Sequence, residues 1–399
     1  MVYCRPIFKK LLPKKKVDLK GPRLVHLLNL IQSDRGTWPG DVTATLVPPN
    51  LVGGSTRCYL QPHSSKRLIV FYGGKIRRCV ENRPLLIELR RGFFLLMEAY
   101  SSILEAVGNT PIVPLTQLVP KGSAMVYAKD EAANPSFSLK DRIALSLVEQ
   151  AKKKKKVEIV VATAGNTGVA LSMVCVVQKI KLTLFMPENA SIERRKMFEG
   201  FGAGLVLTPK EEGVKGAQKR AQAYASSHTN ACLINQFDNE DVVRAHQETT
   251  AHEILADFPE GVDALVLGVG TGGSLTGVGR VLKKKFPRTK IYAIEPTASA
   301  VLSGGKQGLH RIEQIGLGFI PANLDQTLID EVIQVEDVDA YQTTRALSQK
   351  AGILVGISSG ANVWASLKIA SQMDENKKIL TFLCDAGQRY FSIEKYFKQ

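Results

Sequence analysis

Hydrophobic positions are spaced differently in two parts of the chain. From about residue 100, short apolar runs alternate with longer runs at helical spacing. Strands are predicted at EIVVAT (158–163), KLTLFMP (181–187), GLVLTP (204–209), DALVLGV (263–269) and IYAIEP (291–296). Helices are predicted between them at 168–177, 191–201 and 274–285. This alternation is typical of βαβ units around mostly parallel sheets.

The predicted elements form two α/β domains, each with three layers and a mostly parallel sheet. We place the first at residues 97–238 and the second at 239–399, with the join near 236–245. Residues 1–96 differ, because Pro, Gly and charged residues interrupt every apolar run. That pattern predicts a basic extension of low order rather than a compact domain.

Charge is concentrated in this extension. Residues 1–96 hold 18 Lys+Arg and 5 Asp+Glu, which leaves 35 and 32 of the chain totals of 53 and 37 for the rest. A nearly neutral body argues against nucleic-acid binding. The Arg-rich, acid-poor extension is either a mitochondrial transit peptide, a flexible extension, or sequence upstream of a true start at Met97.

Cysteine usage and hydropathy limit the compartment. The six cysteines include no C-x-x-C pair and no histidine at metal-ligand spacing, so no metal site is predicted and a reducing compartment is expected. No apolar run reaches the ~20 residues that span a bilayer. We therefore expect a soluble protein without membrane association, cytoplasmic unless the extension directs it to mitochondria.

Two glycine-containing turns each follow a predicted strand and open a predicted helix. They are TAGNTG (163–168) and GVGTGGS (268–274). Such turns direct backbone N–H groups and a helix dipole at an anion, although both also suit an ordinary tight connection. The second turn also satisfies G-x-G-x-x-G at Gly268, Gly270 and Gly273, with Glu295 after the next strand. A dinucleotide site is therefore an alternative.

A lysine stands at the head of a third predicted helix. In SLKD, Ser138 and Asp141 fit a capping box, which places Lys140 in the first turn. The helix dipole and burial both lower the pKa of an amine there, and a free amine is what Schiff-base chemistry requires. The alternative is a surface lysine paired with Asp141. One amine with two anion sites matches the needs of pyridoxal 5′-phosphate and an amino acid.

The same residues resemble a known family. From about Ser102 to the C-terminus the chain is similar to the cysteine synthases (O-acetylserine sulfhydrylases), within the β-substituted-alanine synthases of fold-type II pyridoxal-phosphate enzymes. The matching motifs, in the family's order, are GNTPIVPL, NPSFSLKDRI, TAGNTGVAL, MPENASIERRKMFEGFGA, GVGTGGSLTGVGR, IGLGFIPANLD and GISSGAN. Residues 1–96 match nothing in the family.

The resemblance implies a role for each site residue. Lys140 would carry the cofactor as a Schiff base and later move the substrate's α-proton. The cofactor phosphate would lie on Gly270, Thr271, Gly272, Gly273 and Ser274. Asn166 would hydrogen-bond the cofactor 3′-oxygen. Ser358, or less favourably Ser359, would face the pyridine nitrogen. The substrate carboxylate would be held by Thr163, Gly165, Thr167 and Gln236.

The implied reaction is β-replacement on an activated serine. O-acetylserine would lose acetate to give a bound aminoacrylate, and sulfide would then add to form cysteine. The resemblance also implies a homodimer. Alternatives are cyanoalanine synthase, cystathionine β-synthase, or a weakly active sensor that binds the C-terminal tail of a partner protein. The chain departs from the family at four places. Ala164 stands in a loop that usually reads T-S-G-N-T-G in the family, and the segments QFDNEDV and TTAHEI of this chain also differ. The fourth departure is DAGQRY, which places Asp385 near the cofactor ring.

Overall fold

The computed structural model describes residues 100–190 and 192–391, together with the backbone of six short strands between residues 42 and 95. The chain divides into two compact units, Met1–Glu105 and Ala106–Gln399. Every predicted site residue belongs to the second unit.

The first unit contains two antiparallel sheets of three strands, ordered β1-β2-β3 and β4-β5-β6. Their bounds are β1 Val42–Val47, β2 Arg57–Pro62, β3 Leu68–Phe71, β4 Gly74–Ile76, β5 Leu86–Leu89 and β6 Gly92–Leu95. The sequence pattern did not predict these strands. The rest of residues 1–96 lies outside the described part, so the low-order extension and any transit peptide stay predictions.

The second unit is built on two sheets. The smaller, ordered β11-β10-β9-β12, is entirely parallel, and the larger, β15-β14-β13-β16-β8-β7, is parallel except at β7. Their strands are β7 Ile112–Pro114, β8 Met125–Asp130, β9 Glu158–Ala162, β10 Lys181–Pro187, β11 Gly204–Thr208, β12 Ala231–Ile234, β13 Ala264–Gly268, β14 Lys290–Pro296, β15 Glu331–Val335 and β16 Lys378–Leu383.

Helices connect these strands. They are α1 Lys140–Lys153, α2 Asn166–Gln178, α3 Ile192–Gly200, α4 Gly213–Ser227, α5 Glu240–Ala245, α6 Ala251–Asp257, α7 Gly273–Lys285, α8 Asp337–Ala351 and α9 Ile357–Ala370. A π-helical turn, His246–Thr250, joins α5 to α6. Parallel strands need such crossovers, and both faces of β9 and β13 are buried as a result. The predicted α/β fold class is therefore confirmed.

Sheet membership differs from the predicted division at residue 238. Strands β7 and β8 precede that boundary, yet β8 pairs with β16 and so lies in the larger sheet. A strand-and-helix rhythm gives the order of elements along the chain but not the sheet that a strand joins. Within the described residues, no helix has the length and apolar character needed to cross a membrane.

Candidate active site

The predicted lysine is the first residue of α1 and lines a cleft. Asn166, Gly270, Thr271, Ser274 and Ser358 line the same cleft, which holds about 470 Å³ free of protein atoms, part of it open to solvent. Lys140, Asn166, Ser274 and Ser358 lie at the amino ends of α1, α2, α7 and α9. Gly270 and Thr271 lie in the loop after β13. Ligands of open α/β sheets bind at such carboxyl ends of strands.

The local structure around Lys140 partly corrects the capping prediction. The Lys140 backbone N–H does donate to Ser138 Oγ at 3.3 Å. Asp141, however, accepts from the backbone N–H of Ser136 at 2.6 Å and from its hydroxyl, instead of closing a capping box. The N-cap of the helix is Leu139 and not Ser138, one residue later than the box requires. Asp141 is buried and not paired with Lys140, so the surface ion-pair alternative is wrong.

Burial has the expected effect on the Lys140 amine. Desolvation lowers the pKa of Lys140 below its ordinary value, while the ionised forms of Cys384 and Asp385 oppose that shift. Burial also raises the pKa of the Cys384 thiol to about 12, so the thiol is neutral at pH 7 and its opposing effect is absent there. Because desolvation is the largest effect, the amine is more readily deprotonated than a surface lysine. That is the state needed for attack on an aldehyde.

The turn at 268–274 has the geometry of a phosphate cradle. Gly272 has φ of +79°, in the left-handed region that favours glycine. A Cβ on Gly273 would lie 2.5 Å from Val242 Cγ1, and one on Gly270 would overlap the carbonyl oxygen of Gln314. Only glycines fit at these positions, and the turn opens α7, whose first N–H groups are available for an anion.

The carboxylate of Glu295 is used elsewhere, which removes the dinucleotide alternative. It is buried and accepts from the backbone N–H groups of Leu302 and Ser303 at 2.7 and 3.0 Å and from the Ser303 hydroxyl at 2.6 Å. A carboxylate with these three partners closes a local turn. It is therefore not free to bond a ribose, as the dinucleotide fingerprint requires.

The turn at 163–168 brings the predicted substrate residues together. Thr163 and Thr167 are buried, and the Thr167 hydroxyl donates to Gln236 Oε1. The Gly165 backbone N–H donates to Thr163 Oγ1 at 3.2 Å. The turn opens α2 at Asn166, so its N–H groups carry the same partial positive charge as those of the first cradle.

The two adjacent serines of α9 have different surroundings. Ser359 Oγ accepts from the Cys384 backbone N–H at 2.8 Å. Ser358 Oγ is buried and makes no hydrogen bond of normal geometry within the part of the chain that the structure describes; the neutral Cys384 thiol beside it is only a weak hydrogen-bonding group. A buried hydroxyl without a strong partner is costly, and a ring nitrogen at this position would satisfy it. This observation favours Ser358 over Ser359 and shows that the site suits the expected cofactor.

Sequence reasoning did not identify a side-chain network around Asn166. Asn166 Nδ2 donates to Asp385 Oδ2 at 2.6 Å, and Arg389 donates to Asn166 Oδ1. Tyr390 also donates to Asp385 Oδ2 at 2.6 Å, and Arg389 reaches the Ser136 carbonyl. With Oδ1 occupied, the second Nδ2 hydrogen of Asn166 remains for a cofactor oxygen. Asp385 was noted only as a departure, and nothing local in the sequence links these residues.

A second unpredicted contact holds the loop backbone. Arg194 is buried, donates to the Ala164 carbonyl at 3.2 Å and pairs with Glu313 at 2.7 Å. Its guanidinium lies 5.8 Å from the centroid of the Tyr390 ring. The substrate turn is therefore positioned by side chains from several distant segments.

Comparisons with known proteins agree with this geometry. Residues 103–385 match the family model described as "Pyridoxal-phosphate dependent enzyme". Cysteine synthase B of Campylobacter jejuni is 43% identical over 304 residues, which is 75% of this chain and 100% of that protein. A cysteine synthase of Staphylococcus aureus is 42% identical over 301 residues, 74% of this chain and 96% of that protein. The solved cysteine synthase of Entamoeba histolytica has a TM-score of 0.73 and 37% identity, covering 76% of this chain and 92% of that one.

Proposed function

The chain belongs to the pyridoxal-phosphate dependent enzymes, and we propose that it is a cysteine synthase, which replaces the acetate of O-acetylserine with sulfide. The observation that carries the proposal is the meeting of the Lys140 amine, the 268–274 cradle and the Ser358 hydroxyl, which has no strong partner, in one cleft. Each of the three matches a different part of the cofactor.

Pyridoxal 5′-phosphate, when bound, withdraws electrons from the amino acid's α-carbon and makes its proton acidic. Lys140 would hold the cofactor aldehyde, and Gly270, Thr271, Gly272, Gly273 and Ser274 its phosphate. Asn166 would donate to its 3′-oxygen and Ser358 to its pyridine nitrogen. A neutral hydroxyl at that nitrogen does not favour a protonated ring as a carboxylate would, and this favours β-elimination over transamination.

The chain's own groups then divide the work on the substrate. Thr163, Gly165, Thr167 and Gln236 would hold the α-carboxylate at the start of α2. The Lys140 amine, displaced by the substrate's amine, would take the proton from the α-carbon as acetate leaves from the β-carbon. Sulfide forms the new C–S bond at the β-carbon, and Lys140 returns a proton to the α-carbon. Because acetate leaves before sulfide binds, ping-pong kinetics are expected.

A spectral titration tests this function. O-acetylserine should change the visible absorption of the cofactor, sulfide should restore it, and cysteine and acetate should form in equal amounts. Serine with homocysteine, and cysteine with cyanide, test the cystathionine and cyanoalanine alternatives. A cofactor spectrum that no amino acid changes would contradict the proposal and favour a sensor that binds a partner protein's C-terminal tail.

The quaternary state is proposed on the resemblance, and the compartment on the cysteine usage and the basic extension. We expect a cytoplasmic homodimer, or a mitochondrial one if residues 1–96 act as a transit peptide. Light scattering of the purified protein tests the first expectation, since a monomer would contradict it. Imaging of the full chain and of a chain that begins at Met97 tests the second.

A further inference from the structure

Gln314 has a backbone conformation that is unusual for its residue type. Its φ is +76°, in the left-handed region where a Cβ is disfavoured. Such residues occur where the surrounding structure holds them in place, and they are common at active sites. Gln314 lines the same cleft as Lys140 and Asn166.

The residue contacts both turns of the site. Its carbonyl oxygen lies where a Cβ on Gly270 would be, so its backbone packs on the phosphate turn. Its side chain lies on the substrate turn, since a Cβ on Gly165 would be 3.0 Å from Gln314 Oε1 and 3.4 Å from Nε2. Gln314 therefore stands between the expected positions of the cofactor phosphate and the substrate.

The flanking residues fix this position and leave the amide available. Glu313 is paired with Arg194, which also holds the Ala164 carbonyl, and Ile315 is buried. The Gln314 side chain is half-buried and makes no hydrogen bond to any residue within 100–190 or 192–391. An amide held at a cleft wall with both of its polar ends unused is suited to bind a ligand.

We propose that Gln314 is a specificity-determining residue whose amide hydrogen-bonds the substrate beside the 163–168 turn. It selects amino acids that carry a neutral acyl group on the β-oxygen over those that carry an anionic group such as phosphate. Of the described residues that line the cleft, Lys140 is the only cation; nearby Arg194 is paired with Glu313, and Arg389 donates to Asn166 Oδ1 and the Ser136 carbonyl. An amide N–H satisfies an ester carbonyl, whereas it leaves most of the charge of a phosphate uncompensated. The inference rests on the proposed function.

Two substitutions separate binding from backbone strain. Gln314→Gly removes the amide and suits the positive φ, so the melting temperature should be unchanged or higher. The KM for O-acetylserine should nevertheless rise about fivefold to tenfold, as expected for one lost hydrogen bond. Gln314→Glu keeps the size, removes the donor and adds charge, so its KM should rise at least about tenfold. Both variants should bind pyridoxal phosphate as the wild type does.

Lys179→Gly is the matched control. Lys179 has φ of 55°, is exposed, and lies at the far end of α2 from the substrate turn. This variant should show the same change in melting temperature with no change in KM.

Comparison of O-acetylserine with O-phosphoserine completes the test. The wild type should prefer O-acetylserine, and Gln314→Gly should lose about the same factor in that preference as it loses in KM. If both Gln314 variants keep the wild-type KM and preference, the inference is wrong although the proposed function stands. If the wild type makes no cysteine from O-acetylserine, both are wrong.

Discussion

The two glycine-containing turns of the site look alike in sequence but are held in different ways. In the turn at 268–274, Gly272 has a positive φ and a Cβ at Gly273 would overlap Val242; the distant side chains that bond this turn are the neutral amides of Asn362 and Asn323. The turn at 163–168 is held by Gln236 and by three charged side chains, Arg194, Asp385 and Arg389. Neutral amides therefore support the first turn, whereas mostly charged side chains support the second.

This difference separates a constant requirement from a variable one. A phosphate is the same in every enzyme that uses this cofactor, and the N–H groups of a closely packed backbone turn can bind it. The substrate turn can change its ligand through a substitution far away in sequence. Ala164, Asp385 and Gln314 all lie around this second turn, where we expect changes to act more on the substrate than on the cofactor phosphate.

The largest effect is expected at the Lys140 amine, which lies in the same cleft as both turns. Lys140→Ala should lower kcat by about a thousandfold or more, because the α-proton loses its base and the cofactor its covalent link. It should also remove the visible absorption band. Lys153→Ala, an exposed change in the same helix, is the control and should leave both unchanged. A variant of Lys140 with the wild-type spectrum would contradict the assignment.

A substitution in the backbone-built turn should act on the cofactor. Gly270→Ala places a Cβ on the Gln314 carbonyl oxygen, and we expect the dissociation constant of pyridoxal phosphate to rise about 10- to 100-fold. Fluorescence titration of the cofactor-free protein measures it. Gly200→Ala is the control, since nothing lies within 4 Å of a Cβ there. Equal affinity in both variants would mean that the cradle is not tightly packed.

Two buried titratable groups near α1, Asp141 and His246, should show in the pH dependence of stability. Burial raises the pKa of Asp141 to about 6, so its folded form binds more protons and stability falls as pH rises from about 4 to 6. Burial lowers the pKa of His246 to about 3, which gives a rise over the same window. The two effects oppose each other in the wild type.

Asp141→Asn removes the falling contribution and keeps the histidine effect. Between pH 4.5 and 6, the slope of its free energy of unfolding against pH should exceed that of the wild type by about 1 kcal/mol per pH unit. Urea unfolding of the cofactor-free protein at several pH values measures this slope. Asp257→Asn, a change at an exposed position, serves as the control. Equal slopes in all three proteins would mean that Asp141 ionises as a surface carboxyl does.

The smallest effect is expected at a single side-chain bond of the substrate turn. Thr167→Val removes the hydroxyl that donates to Gln236, and the KM for O-acetylserine should rise about fivefold. The affinity for pyridoxal phosphate should stay the same, in contrast to Gly270→Ala. Thr229→Val changes an exposed threonine and should alter neither quantity. A loss of cofactor affinity at Thr167 would remove the distinction between the two turns.

The features that the sequence predicted well are local. KLTLFMP predicts β10 with the bounds that the structure has, and the glycine spacing of 268–274 indicates the cradle, because the backbone conformation of a strand-to-helix turn depends on the turn's own residues. Lys140 was found from its place at a helix start. The pairing of β8 with β16, the bond from Arg389 to Asn166, and the positive φ of Gln314 join or depend on segments far apart, so no local pattern encodes them.

Borohydride reduction followed by peptide mapping tests the central assignment most directly. Reduction fixes the cofactor to the amine that holds it, so the account predicts a phosphopyridoxyl group on the peptide that contains Lys140 and on no other lysine. A label on another lysine, or a protein that takes up no label after incubation with pyridoxal phosphate, would contradict it.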